Sequence, residues 1–193
     1  PESLDHLDAL ALHPEGHSLL LTIRGRLFAL PGLWEGPACQ LGDDSGDVRY
    51  SCAAFSHTGK PLAAVCDRRG EWGLVTFTHD PTQQDAALPP PARLLTLRGT
   101  ETLGEPTEVA PSPTSAMLAV ATHDLRLLLV EINTGVVRRL DTASHDGGVF
   151  DLAWSADGNW LAYAASTSAS GRTSAIRLCE VASGTVLSVT SGL

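Results

Sequence analysis

The chain has 193 residues, of which 43% are hydrophobic and 18% charged, with a formal net charge of −9. A chain of this length buries about 70% of its unfolded surface, which is enough for an independent core. The negative charge argues against nucleic acid or an anionic membrane as the partner. Apolar runs fall short of the roughly 20 residues that cross a bilayer, so no membrane association is expected.

The four cysteines, at positions 39, 52, 66 and 179, form neither a CxxC pair nor a dense framework. We therefore expect reduced, mostly buried thiols in a cytoplasmic protein. There is no phosphate-binding glycine loop and no GxSxG nucleophile turn, so no cofactor and no catalytic residue is predicted within this chain.

Short alternating segments bounded by turn residues predict β-strands throughout and no helix. The first two groups of strands are predicted at Leu7–Leu12, Ser18–Ile23, Arg26–Leu30 and Ala38–Leu41, then near Tyr50–Phe55, Leu62–Cys66, Trp72–Phe77 and Arg93–Leu97. The next two are predicted at Thr107–Ala110, Met117–Thr122, Arg126–Ile132 and Val136–Leu140, then at Phe150–Trp154, Asn159–Ala165, Ser174–Val181 and Thr185–Thr190. The proline-rich stretch His79–Ala92 is predicted to be an inserted loop.

Two landmarks show that these groups are repeats. A turn glycine follows the first strand at Gly16, Gly59 and Gly158, with Ser115 in the third copy. The second landmark is a turn after the third strand in the last two copies. Its residues are Glu131–Gly135 and Glu180–Gly184, and each stretch begins with glutamate and ends with glycine. Four-stranded repeats of this length are typical of the blades of a β-propeller, in which stacked sheets bury one another's faces.

The sequence therefore predicts an all-β chain forming one propeller segment of four four-stranded antiparallel blades. The blades are expected at about 4–47, 48–104, 105–146 and 147–193. The segment is expected either to be part of a larger ring or to associate with another chain, because uncovered blades would expose large apolar faces.

The phrases Arg24–Phe28, Val48–Tyr50, Phe150–Ser155 and Asn159–Tyr163 resemble consecutive blades in the seven-bladed propeller of tricorn-like proteases. The resemblance implies a cytoplasmic, oligomeric serine peptidase that trims peptides, in which the propellers are non-catalytic and this one filters and channels peptides toward a chamber. It also implies that the catalytic domains lie elsewhere in the parent protein.

Two adjacent arginine pairs and one tryptophan are the candidate peptide contacts. Arg68 and Arg69 are predicted on a turn, and Arg138 and Arg139 on a fourth strand; either pair can hold a carboxylate by bidentate hydrogen bonds or simply lie in solvent. Trp154 ends a first strand and is the tryptophan best placed to approach a channel, although packing between blades is the commoner role.

No metal site is predicted. The acidic stretch Asp43–Asp47 offers three carboxylates but lacks the bidentate glutamate and the spacing of a calcium loop, so a solvated turn is expected and cation binding stays the alternative. The histidines, including His13 and His17 on either side of the first turn, are expected to be surface turn residues rather than zinc ligands.

The residues leave several functions open. The first is the scaffold and peptide gate of a tricorn-like peptidase, with peptides and other blades or chains of the same protein as partners in a homo-oligomer. The alternatives are a free-standing TolB-like propeller that binds a protein partner, and a fragment that dimerises into an eight-bladed ring.

Overall fold

The computed structural model describes residues 6–32, 37–42, 46–60, 62–77, 93–99, 101–170 and 173–190. Within these ranges the chain contains strands and turns and no α-helix. The predicted loop His79–Ala92, most of the acidic stretch Asp43–Asp47, and Trp34 lie outside the described residues. No helix in the described part of the chain is long and apolar enough to cross a membrane.

The chain divides into two compact units, Pro1–Thr96 and Leu97–Leu193. Each unit contains two four-stranded antiparallel sheets. In the first unit the strands are β1 Leu7–Leu12, β2 Leu19–Ile23, β3 Arg26–Leu30 and β4 Cys39–Leu41, then β5 Val48–Phe55, β6 Leu62–Arg68, β7 Glu71–Phe77 and β8 Arg93–Leu95.

The second unit repeats this plan. Its strands are β9 Pro106–Pro111, β10 Met117–Thr122, β11 Arg126–Glu131 and β12 Val137–Thr142, then β13 Val149–Trp154, β14 Trp160–Ser166, β15 Ser174–Glu180 and β16 Val186–Ser188. Sequential strands are neighbours in every sheet, so each sheet is a simple meander. The strand predictions are confirmed to within a few residues at their ends.

The repeat register is confirmed by recurring hydrogen bonds. At the turn after the first strand, the amide of Gly16 donates to the carbonyl of His13 at 2.8 Å, and Gly59 and Gly158 make the matching bonds to Ser56 and Ser155. All three glycines have φ between 71° and 78°, which side chains rarely adopt. The third copy places Ser115 there without a positive φ, and its hydroxyl group bonds to that of Ser112 instead.

The turn after the third strand also depends on a glycine with positive φ. Gly135 and Gly184 have φ values of 76° and 74°, and the amide of each donates at 2.8 Å to the carbonyl of the glutamate four residues earlier. A left-handed glycine with such a bond ends a strand sharply. The glycines therefore recur because the turn geometry recurs.

Each unit has its own core between its two sheets. In the first unit, leucines of β2 and β3 pack with Tyr50, Phe55 and Phe77 of the second sheet. In the second unit, alanines and leucines of β10 and β11 pack with Leu161 and Tyr163. Leu62 of the first core and Ala119 and Leu161 of the second are at most 1% exposed.

The four cysteines are free thiols, with Cys66 and Cys179 buried and Cys39 and Cys52 half-buried. Burial raises the pKa of both buried thiols. Two of the four thiols are therefore buried, and the reduced state of the cysteines stays a prediction.

Gly59 and Gly16 offer a matched test of how closely the first two sheets pack. A Cβ atom on Gly59 would lie 2.0 Å from Nε2 of the buried His13, whereas one on Gly16 would meet nothing within 4 Å. Gly16→Ala should cost about 1 kcal/mol, since only the positive φ opposes it. Gly59→Ala should cost roughly 1–3 kcal/mol more, because of the added overlap. Urea unfolding of both variants measures the difference, and equal losses would contradict this packing.

Candidate functional site

Five exposed arginines gather at one end of the two sheets in the first unit. This arginine rim consists of Arg24, Arg26, Arg49, Arg68 and Arg69. Its members lie at the β2–β3 turn, at the start of β5 and at the β6–β7 turn. The amide of Tyr50 donates to the carbonyl of Gly25 at 2.8 Å, which joins the first sheet to the second at this end.

Two of these arginines occupy conformations that arginine rarely adopts. Arg24 precedes Gly25 and Arg69 precedes Gly70 in two-residue hairpin turns, and both arginines have positive φ values, of 52° and 57°. Positive φ at both turn positions is the type I′ geometry, which favours Asn or Gly at the first position. Arginine is therefore held there at a conformational cost, which points to a role for its side chain.

The carboxylates near the rim are largely engaged elsewhere. Asp8 accepts a bond from the amide of Gly25, and Asp67 accepts one from the amide of Gly70. Arg69 pairs with Asp47 at 2.7 Å, and both side chains are exposed. Among the described residues, no ion-pair partner is found for the other turn arginine, Arg24, or for two further rim members, Arg49 and Arg68.

The second unit has a groove at the topologically equivalent end of its sheets. The groove encloses about 190 Å³ and is lined by the β10–β11 turn and the β12–β13 connection. His123 and Asp146 bring ionisable groups to its wall, while Leu125 and Phe150 provide apolar surface. At about 190 Å³ the groove is smaller than the roughly 300–1,000 Å³ of typical small-molecule pockets.

A carboxylate–arginine network lies beside this groove. Arg126 bonds to Glu101 at 2.8 Å and to Asp124 at 2.8 Å through Nε, and Arg139 lies 3.5 Å from Glu101. Although partial burial alone would raise it, hydrogen bonds from Arg126 and Thr122 hold the pKa of Asp124 below its usual value. The network fixes the chain before β9 against the β10–β11 turn.

Two of the predicted contacts join the sheets of the second unit. Arg138 of β12 donates to the backbone carbonyls of Val181 and Ala182, after β15. The indole Nε1 of Trp154 donates to the carbonyl of Ala110 on β9 at 3.0 Å. Both side chains therefore link one sheet to the next.

A buried tyrosine completes these links. The hydroxyl group of Tyr163, on β14, donates to Asp141 of β12, which also accepts a bond from Arg177 of β15 at 2.7 Å. Tyr163 is 2% exposed. Burial, together with the neighbouring Asp141 carboxylate, raises the pKa of Tyr163 well above its usual value.

The structure separates the residues predicted from sequence. Arg68 and Arg69 lie in the arginine rim, Arg139 lies beside the groove, and Arg138 and Trp154 lie between sheets. Whether any of the five contacts a peptide stays a prediction. Arg24, Arg26 and Arg49 were not predicted as contacts, although an Arg-Gly pair recurs at the turn between the second and third strands in both sheets of the first unit.

The prediction of surface histidines is wrong for His13, which is 7% exposed. Its ring stacks on that of His17 with centroids 3.9 Å apart, and it meets Phe55 edge-on at 4.9 Å. A neutral imidazole can fill such a position as a flat, partly apolar group, which the turn-like sequence around it did not reveal.

Comparisons with known proteins agree with the resemblance seen in the sequence. The family model described as the anaphase-promoting complex subunit 4 WD40 domain matches residues 109–191. Tricorn protease homolog 1 of Streptomyces coelicolor is 44% identical over 61 residues, covering 32% of this chain and 6% of that protein. A putative tricorn-like protease C-terminal subunit of Sulfurisphaera tokodaii is 29% identical over 173 residues, covering 90% of this chain and 18% of that protein.

Solved structures show the fold. The crystal structure of the tricorn protease matches with a TM-score of 0.70 at 12% identity, over 95% of this chain and 17% of that one. TolB from Acinetobacter baumannii matches with a TM-score of 0.65 at 19% identity, over 95% of this chain and 43% of that one. The chain therefore has the β-propeller fold predicted from its repeats, and it is similar to tricorn-like proteases while spanning less than a fifth of the two curated relatives.

Removing the Tyr163 hydroxyl group tests the link between the sheets of the second unit. Tyr163→Phe should lower the free energy of unfolding at pH 7 by roughly 1.5–3 kcal/mol, because a carboxylate loses a buried hydrogen bond. The folded-state pKa of Tyr163 lies above the unfolded value of about 10, so its contribution is fully present below pH 10 and is lost as the pH rises further. Urea unfolding between pH 7 and 11 should show the gap between wild type and variant narrowing above pH 10. A gap independent of pH would contradict this assignment.

Proposed function

We propose that this chain is a non-catalytic propeller portion of a tricorn-like serine peptidase, in which it serves as scaffold and gate for peptides that enter a proteolytic chamber. The similarity to tricorn protease homologs supports the class of the parent protein. The cytoplasm is the compartment that we propose for it, in line with its free thiols.

The observation that carries the peptide-binding role is the arginine rim. Three of its exposed guanidinium groups have no ion-pair partner in the described part of the chain, although the protein as a whole is strongly acidic. A guanidinium fork matches the two oxygens of a carboxylate, which every peptide carries at its C-terminus. The rim is therefore suited to hold peptide ends, and the strained turn conformations of Arg24 and Arg69 fix where two of these side chains begin.

Peptide binding can be measured with one peptide made in two forms, carrying a free C-terminal carboxylate or an amide. Wild-type protein should bind the free acid more tightly, and Arg24→Gln/Arg68→Gln should weaken that binding by about tenfold or more through loss of charge-assisted bonds. The control is Arg93→Gln, which removes an exposed arginine of β8, outside the rim. Fluorescence anisotropy gives the affinities.

Equal affinity for acid and amide would refute the proposed carboxylate recognition. An equal effect of Arg93→Gln would show that only general charge attraction is at work.

We further propose that the chain associates with other blades or chains of the same protein. Leu10 and Leu12 of β1 are 57% and 55% exposed, which is unusual for two leucines on one strand face. In sedimentation experiments the wild-type chain should form a dimer or larger species, and Leu10→Ser/Leu12→Ser should shift it toward monomer. Leu94→Ser, at a residue that is 52% exposed on β8, serves as the control. A monomeric wild type at high concentration would overturn self-association, including the eight-bladed ring.

A TolB-like interaction propeller is the second candidate, and the match to TolB supports it only at the level of the fold. The two proposals differ in the ligand. A TolB-like module binds a folded protein surface, whereas the gate binds short peptides by their ends.

A further inference from the structure

The sheet β1–β4 has one face that the other sheet of its unit does not cover. Leu20 of β2 packs into the core of the unit, so the alternate residues Leu19 and Leu21 point the opposite way. Their pairing partners on β1 are Leu12 and Leu10, which are 55% and 57% exposed. This surface, the first face, is formed by Leu10, Leu12, Leu19, Leu21, Phe28 and Leu30.

The sheet β13–β16 has a second uncovered face. Leu161 and Tyr163 of β14 pack into the core of the second unit, so Ala162 and Ala164 lie on the opposite side of the strand. Ile176, which pairs with Ala164, is 49% exposed. This surface, the last face, is formed by Phe150, Ala162, Ala164, Ile176, Leu178 and Leu187. Both faces are thus apolar at every one of these positions.

The last face repeats a face that is covered in the sheet β9–β12. In the alignment of the repeats, Ala164 of β14 corresponds to Ala121 of β10. Each alanine pairs with a large residue of the third strand, which is Ile176 in one sheet and Leu127 in the other. Leu127 lies in the core of the second unit and is 0% exposed, whereas Ile176 is 49% exposed. The last face is therefore a packing surface of the repeat that lacks its neighbour.

The first face repeats the surface that packs onto such a neighbour. Leu12 pairs with Leu19 in the first sheet, as Phe55 pairs with Leu62 in the second. Phe55 is 3% exposed in the core of the first unit, whereas Leu12 is 55% exposed. In the fourth copy the position of Leu19 is taken by Leu161, which is 0% exposed. The first face therefore has the residue pattern with which a following sheet covers the preceding one.

The two open faces also match in side-chain size. In the core of the second unit the large Leu161 and Tyr163 of β14 pack with the small Ala119 and Ala121 of β10. The first face offers leucines at the positions of the large residues, and the last face offers alanines at the positions of the small ones. Large and small residues on facing positions interdigitate, whereas two copies of the first face would place leucine against leucine.

We infer that the first face of one copy of this chain docks on the last face of a second copy. This docking rests on the self-association proposed above, and it identifies the two surfaces that meet. The contact is heterologous, because each copy contributes a different face. It repeats between two chains the packing of sheet on sheet that forms the core of each unit.

Two variants that each damage one face test this pairing by sedimentation velocity. Leu10→Ser/Leu12→Ser changes the first face and Ile176→Ser/Leu187→Ser the last, and all four side chains are exposed. Each variant alone should associate roughly a hundredfold more weakly than wild type, since every contact then contains one damaged face. An equal mixture should form a one-to-one pair, because the intact last face of one variant meets the intact first face of the other.

A fluorescent label on one variant identifies the mixed pair, and circular dichroism checks that both variants are folded. Leu94→Ser, at an exposed residue outside both faces, should associate like wild type. Wild-type association of the last-face variant, or a mixture that stays monomeric, would overturn this pairing alone. A monomeric wild type would overturn the proposed self-association as well, and would leave a sheet of another protein as the occupant of both faces.

Discussion

The contact between neighbouring sheets is the constraint on which each unit of this protein depends. A four-stranded meander is apolar on both faces and is stable only when a second sheet covers it. In the second unit, Asp141 fixes that contact by accepting hydrogen bonds from Tyr163 and Arg177 of the next sheet. In the first unit, Gly59 lies so close to the ring of His13 that a side chain at position 59 would overlap it, and this close fit fixes the contact between the sheets.

The repeats explain why the candidate functional features lie at the ends of the sheets. Strand interiors are devoted to packing, so variation without loss of the core is possible at the turns and connections. The arginine rim and the groove by His123 occupy topologically equivalent ends of their units.

Strand positions and the fold could be predicted from sequence because each depended on local signals. Alternation marks strands, and Gly16, Gly59 and Gly158 mark a turn that requires positive φ. The role of Arg138 could not be predicted, since its partner Val181 is a backbone carbonyl of the adjacent sheet, 43 residues away. For Trp154 the sequence indicated packing between blades as the commoner role, but not its hydrogen bond to Ala110, 44 residues away. The burial of His13 was equally hidden, because it depends on Phe55 and Gly59 of the second sheet.

We propose that this chain binds peptides without cleaving them. The most direct measurement incubates the purified chain with a set of peptides and follows binding and peptide mass in the same samples over several hours. The expected result is that peptides are bound and recovered intact. Cleavage products whose rate of formation scales with the concentration of the chain, in several independent preparations, would contradict it.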